Sequence, residues 1–240
     1  MNWLDMTWTQ IAKLDKNRTV LILPVGAVEA HGPHLPLGTD GIISLAMAQE
    51  TVRQLRALQI KGIILPPLDF TVAGFAQAFP GTISFQPATV KAILHDLIQS
   101  LNQQGFTKIA IANSHLDPGH LQSLREADLK VTFPDLTRRK NAQRLTPEFQ
   151  SGACHAGQFE SSIVLRARPH LVKPHDLPDN PASLVDAIRK HKTTFAEAGG
   201  PQAYFGSPRL ASAAEGEASL HTLGKILTEA IFQEHFRPDP

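Results

Sequence analysis

With 240 residues and a 42% hydrophobic content, the chain is long enough to bury one sizeable core and sits near the upper size of a single α/β domain. A formal net charge of +1, with no basic block beyond Arg138, Arg139 and Lys140, argues against a nucleic-acid or anionic-membrane partner. One cysteine, Cys154, excludes an internal disulfide framework, and the polar opening MNWLDMTWTQ and the lack of any apolar run near the roughly 20 residues of a membrane span lead us to expect a soluble, cytoplasmic protein.

Residues 1–17 predict a short capping helix, with Trp3, Leu4, Trp8, Ile11 and Leu14 at helical spacing. The apolar run 19–25 predicts a buried strand. It delivers the stretch 23–40, LPVGAVEAHGPHLPLGTD, which is too rich in Gly and Pro for a helix. A loop leaving a buried strand is where α/β proteins place their sites. Glu29 and His31 are two apart, so an extended chain projects both from one side, and Asp40 returns after a Gly/Pro-rich turn. A carboxylate, an imidazole and a second carboxylate suit a divalent ion such as zinc, manganese or iron, and an Asp with two oxygens can bridge two ions. The plainer alternative is a surface loop of Asx-type turns, with Asp40 as a helix N-cap.

Residues 41–58 carry apolar positions at helical intervals and predict an amphipathic helix, so that Asp40 lies at a helix N-terminus whose dipole favours the ionised carboxylate. A second strand is expected over 60–65, stopped by Pro66 and Pro67, and the strand–helix alternation argues for a parallel sheet with helices on its faces. Residues 68–85 read as a loop and 87–104 as a helix with Gly105 as its C-cap. The strand 107–112 ends in Asn113, Ser114 and His115, placing His115 just past the carboxyl end of a buried strand. Asp117 precedes Pro118 in the favoured arrangement of an N-cap with proline at N1. The helix continues over 120–129, a short edge strand follows over 130–133, and the polar, basic residues 134–151 are expected to form a mobile surface segment.

In SGACHAGQFESS, residues 151–162, Glu160 falls in an early turn of a helix that is apolar on one face. A carboxylate buried there must be paired or metal-bound, because burying it alone costs several kcal/mol; otherwise it faces solvent beside Arg166 or Arg168. Cys154 beside His155 also permits a cysteine nucleophile, a less favoured reading because no oxyanion motif accompanies the thiol. A Pro-rich loop spans 169–181, a short helix 184–192, and a loop over 198–208 holds Tyr204, expected at the pocket mouth or an intersubunit contact. A long amphipathic helix closes the chain over 213–236.

Four segments carry a family resemblance. The core Glu29-x-His31-Gly-Pro-His34-Leu-Pro with the trailing Gly38-Thr39-Asp40 closely resembles the signature of the creatininase family. The Phe-Pro-Gly-Thr at 79–82, Asn113-Ser114-His115, which resembles an Asn-Gly-His motif, and residues 155–162, which resemble His-Ala-Gly-x-x-Glu-Thr-Ser, follow in the family's order. The resemblance covers most of residues 20–165 and fades beyond.

The resemblance implies one α/β domain over 1–240, a three-layer sandwich with a mainly parallel sheet and helices on both faces. It implies a binuclear metal hydrolase acting on a non-peptide C–N amide bond of a small molecule, of the cyclic amide or formamide type. Two divalent ions per chain would be held by Glu29, His31, Asp40, His115 and Glu160, with Asp40 as the bridge. A metal-held hydroxide would attack the carbonyl and His155 would move the proton. His34 and Asp117 are weaker candidates for substrate contact or support, and a homo-oligomer such as a hexamer is implied. The sequence also departs from the family. Ala73 and Ala76 stand where Ser and His usually face substrate, Ser114 replaces Gly, and Asp117 stands where a metal-linked Glu is found. These changes argue against creatinine as substrate and sustain an alternative, a non-catalytic member that binds a small molecule or serves assembly.

Overall fold

The computed structural model describes residues 1–237. At its centre lies β1 (Thr19–Val25), all seven residues buried. It is flanked on one side by β2 (Lys61–Ile64) and on the other by β3 (Ile109–Asn113), both parallel to it, in the order β2-β1-β3. A parallel strand covered on both faces reads as a continuous apolar run, which is why TVLILPV shows no alternation. The register pairs Leu21 with both Ile63 and Ile109, and Val25 with Asn113, so β1 and β3 end side by side.

Alternate residues of the strands enter two cores. Val20, Ile22, Ala110 and Ala112 face a layer formed by α2 (Thr39–Ala57), α7 (Gln158–Ala167) and α9 (Ala213–His235). Leu21, Leu23, Val25, Ile63, Ile109 and Ile111 face α3 (Pro87–Gln103) and α4 (Pro118–Glu126). The result is the expected three-layer α/β arrangement. The connection β1–α2–β2 lies on one face and β2–α3–β3 on the other. The chain therefore changes direction across the sheet at β1, the position where open α/β sheets form a crevice at their carboxyl ends.

Two glycines allow close approaches that matter for the site. A Cβ on Gly26, the residue after β1, would lie 2.6 Å from the Gly41 backbone nitrogen and 2.8 Å from the Asp40 carbonyl carbon. Only glycine there lets the N-terminus of α2 press against the end of β1. A Cβ on Gly216 would collide with the Ser162 carbonyl oxygen, so α9 and α7 meet backbone to backbone.

Several expectations are corrected. The opening helix is two pieces, a 3-10 turn (Trp3–Asp5) and α1 (Trp8–Ala12), because a capping box between Thr7 and Gln10 starts a fresh helix. The edge strand at 130–133 reduces to one bridge between Thr132 and Ala110, cut short by Pro134. Residues 134–151 are not a mobile surface segment. They form α5 (Arg139–Ala142) and α6 (Pro147–Ser151), with Leu136, Asn141, Leu145 and Phe149 buried and Asp135 paired with Arg125. Tyr204 is buried in the core, its hydroxyl donating to the Pro178 carbonyl at 3.0 Å, and not at the pocket mouth. The short helix expected over 184–192 forms as α8 (Leu184–Arg189), and Leu184 and Ile188 on it line a cavity together with Phe195.

Candidate metal centre

Five acid and imidazole side chains from four segments meet at the carboxyl ends of β1 and β3. Glu29 and His31 come from the loop after β1, Asp40 from the first turn of α2, His115 from the loop after β3, and Glu160 from the first turn of α7. All five are buried. His115 Nδ1 lies 3.1 Å from Asp40 Oδ2 and 3.3 Å from Glu29 Oε1. His31 Nε2 lies 3.6 Å from Asp40 Oδ1 and 3.6 Å from Glu160 Oε2. The two oxygens of Asp40 thus face different partners, and Gly38, not Asp40, occupies the N-cap position of α2.

The outer nitrogen of each imidazole is fixed by a backbone carbonyl. His31 Nδ1 donates to the Glu29 carbonyl at 3.1 Å and His115 Nε2 to the Val72 carbonyl at 2.7 Å. A carbonyl can only accept, so the nitrogen against it carries a proton and the other nitrogen is turned to the cluster, the arrangement that orients metal-ligating histidines. His155 follows the same rule, with Nε2 donating to the Ala30 carbonyl at 2.9 Å and Nδ1 3.9 Å from Glu29 Oε1. Its ring lies between those of His31 and Phe195, with centroids 4.3 and 4.2 Å away.

Three ligand groups overlap here, each with its donor atoms close enough to hold one ion: Glu29, Asp40 and His115; His31, Asp40 and Glu160; and Glu29, His31 and His155. Glu29 Oε2, His31 Nε2 and Asp40 Oδ2 are buried without a hydrogen-bond partner. Buried polar atoms are almost always satisfied, so three orphans in one cluster of carboxylates and imidazoles fit divalent cations. Protons balance the charge when no cation does. Burial disfavours a charged His31, yet Asp40, Glu160 and Glu29 together raise its pKa to about 10, and the carboxylates likewise lift His115 well above its ordinary value. Burial raises Glu29, and raises Glu160 to about 8. Burial also opposes ionisation of Asp40, but His31 and His115 hold its carboxyl below the usual range. Burial and the charge of His31 keep His155 neutral, well below its ordinary value.

The weaker candidates lie outside the five. His34 is buried with Nε2 2.9 Å from the Ser161 hydroxyl, bracing α7 one residue past Glu160, and burial with the neighbouring His175 lowers its pKa to about 4. Asp117 lies at the cavity rim, where Oδ1 caps α4 by accepting from the Gly119 and His120 amides and Oδ2 accepts from the Phe75 amide. Ala73 and Ala76 are fully buried. Cys154 lines the cavity, but burial and the nearby carboxylates of Glu160 and Glu148 push its thiol well above the usual range, which disfavours a thiolate nucleophile.

Three contributors carried no sequence signal. His120 is buried on α4 with Nε2 2.8 Å from Asn113 Oδ1, while the Asn113 amide donates to the His115 carbonyl at 2.7 Å, locking the loop that carries His115. Glu148 on α6 accepts from the backbone amides of Gln158, Phe159 and Ser207, anchoring the N-terminus of α7. Phe195 walls the cavity above His155. A larger cleft of about 590 Å³ along α2 and α9 is a weaker candidate, because among the described residues it gathers no group of metal-ligating side chains and two of its arginines are already paired, Arg53 with Glu50 and Arg166 with Glu217.

The family model for creatininase, described as creatinine amidohydrolase, matches residues 4–231. The chain belongs to the creatininase family. Members of this creatininase family are metal-dependent hydrolases acting on C–N bonds. The chain is 28% identical over 253 aligned positions to a creatinine amidohydrolase of Pseudomonas putida, covering 98% of this chain and 96% of that one. It is 29% identical over 200 positions to a mycofactocin precursor peptide peptidase of Mycolicibacterium smegmatis, covering 82% and 78%. Among solved structures, a mutant creatininase of zinc–zinc type shares the creatininase fold with a TM-score of 0.71 and 23% identity, over 98% of both chains. Among the described residues, no helix is long and apolar enough to cross a membrane.

Proposed function

We propose that this creatininase-family chain hydrolyses a non-peptide C–N amide bond, of the cyclic amide or formamide type, at the cluster around Asp40. The observation that carries the reading is the division of Asp40, with Oδ2 3.1 Å from His115 Nδ1 and Oδ1 3.6 Å from His31 Nε2. One divalent ion would be held by Glu29, Asp40 and His115 and a second by His31, Asp40 and Glu160, with zinc, manganese or iron suited to the donors. When bound, such ions lower the pKa of water towards about 7 and polarise a carbonyl oxygen.

The side chains supply the rest. His155 is neutral, its Nε2–H committed to the Ala30 carbonyl, so the lone pair on Nδ1 is free on the cluster side. It accepts the proton of the attacking water at Nδ1 and returns it to the leaving nitrogen. The Glu29 and Val72 carbonyls hold His31 and His115 in the tautomers that keep a nitrogen on the cluster. His34 and Asp117 act as supports, the first on α7 and the second on the loop of Phe75.

A second reading, hydrolysis of a peptide amide, is favoured by the similarity to the mycofactocin precursor peptide peptidase. The same cluster serves either bond, and the cavity walls decide between them. A homo-oligomer is part of the proposal, and size-exclusion chromatography with light scattering reads it directly. The hydrolysis itself is tested with metal-reconstituted protein on a panel of formamides, cyclic amides and dipeptides. Hydrolysis is expected to stop on chelation, and His155→Ala is expected to lower kcat by about 10²–10⁴ while metal content stays unchanged. Turnover that survives complete metal removal contradicts the reading, and fully loaded protein that cleaves nothing in the panel favours the non-catalytic alternative.

A further inference from the structure

The cavity over the cluster has two unlike halves. Its floor is formed by acid and imidazole groups, and its walls by Phe75, Leu116, Leu184, Ile188 and Phe195. The polar groups beside those walls hold most of their hydrogen bonds within the protein. Asp117 accepts from the amides of Gly119, His120 and Phe75, and the Ser114 hydroxyl donates to the Asp40 carbonyl at 2.7 Å. No Lys or Arg is among the lining residues. The space is about 60 Å³, room for a few non-hydrogen atoms beyond the reacting group. A hydroxyl or charge placed against Leu184, Ile188 and Phe195 would find no partner in those side chains, whereas an aliphatic group would gain by burial.

Resting on the amidohydrolase reading of the cluster, we infer that the substrate carries a compact aliphatic group next to the scissile amide, and that Leu184 and Ile188 of α8 select it. Both residues come from a segment of the chain far from any of the family motifs, and neither touches the proposed ligands by hydrogen bond. Ile188 is 37% exposed while lining the cavity, so α8 is a wall that a polar substitution can alter without disturbing the core.

The test uses hydroxamates, which combine a metal-binding end with a chosen side group, and measures their binding calorimetrically to the full, metal-reconstituted chain. Isobutyrohydroxamate is expected to bind about tenfold more tightly than acetohydroxamate, the effect of two buried methylene-sized groups. Glycolohydroxamate, with a hydroxyl in their place, is expected to bind no better than acetohydroxamate. Ile188→Asn should reduce the tenfold preference to below about threefold, and Leu184→Ala provides a second variant with the same expectation. Binding of all three with equal affinity, or a preference unchanged in both variants, overturns the selectivity and leaves the hydrolase reading standing. Failure of any hydroxamate to bind the metal-loaded chain removes the hydrolase reading and this inference together.

Discussion

Lowering the pH should weaken metal binding in a defined way, because protons and cations compete for the same buried atoms. In the metal-free protein, Asp40, Glu160 and Glu29 raise His31 against the effect of burial to a pKa of about 10, and His115 lies well above its ordinary value. Each proposed group contains one of these imidazoles, so each ion must displace at least about one proton at neutral pH, and Glu160, raised to about 8, adds a second in the group with His31 below that pH. The apparent association constant should therefore rise at least about tenfold per pH unit per ion, about 1.4 kcal/mol, between pH 6.5 and 8.5. Competition against a chromophoric chelator, corrected for the chelator's own protonation, measures this slope. Calorimetry in two buffers of different ionisation enthalpy counts the released protons independently. A slope near zero would refute the reasoning, since it would mean that the imidazoles hold no proton for the metal to displace. Stability of the metal-free chain should follow the same protons. A folded-state pKa raised from 6.5 to about 10 stabilises fully below pH 6.5 and is lost as pH rises towards 10, and Glu160, raised from 4.5 to about 8, acts in the same direction at lower pH. Thermal unfolding of the apo form should thus occur at lower temperature as pH rises from 7 to 9.

Other predictions concern the scaffold and the cysteine. Gly216→Ala places a methyl group against the Ser162 carbonyl, and should cost about 1–3 kcal/mol in denaturant unfolding and lower metal affinity through α7, which carries Glu160. Wild-type stability in that variant would show that α7 and α9 can separate freely. Cys154→Ser should keep most amide hydrolysis, and alkylation of the wild type with iodoacetamide at pH 7.5 should be slow, because burial and the nearby carboxylates keep the thiol protonated. Rapid alkylation with loss of activity would return a thiol nucleophile to consideration.

The convergence of Glu29, His31, Asp40, His115 and Glu160 was legible as a set only through the family resemblance. The residue pattern by itself marked Glu29, His31 and His115 at strand ends, but left Asp40 open as a helix N-cap and Glu160 open as a solvent-facing carboxylate. The central strand and the helix of Asp40 were plain, since TVLILPV is a continuous apolar run and residues 41–58 repeat apolar positions at helical intervals. What escaped was support that depends on distant pairings. Glu148 lies in a stretch whose apolar residues are too widely spaced to suggest burial, and it meets Gln158, Phe159 and Ser207 only after folding. His120 reads as one more polar residue on a helix until Asn113 is found 2.8 Å away. Leu184, Ile188 and Phe195 wall the cavity from the part of the chain where the resemblance had faded. Tyr204 was misplaced because a lone tyrosine in a Gly/Pro loop looks exposed, whereas its hydroxyl finds the Pro178 carbonyl inside the core.

The central claim is that Asp40 serves two ions at once, and metal content tests it most directly. Elemental analysis of protein purified without a metal-affinity tag should find close to two divalent ions per wild-type chain. In Asp40→Ala the content should fall sharply, since both proposed groups contain this carboxylate. Little metal in the wild type, with no uptake on adding zinc or manganese, or two ions retained by the variant, would contradict the account.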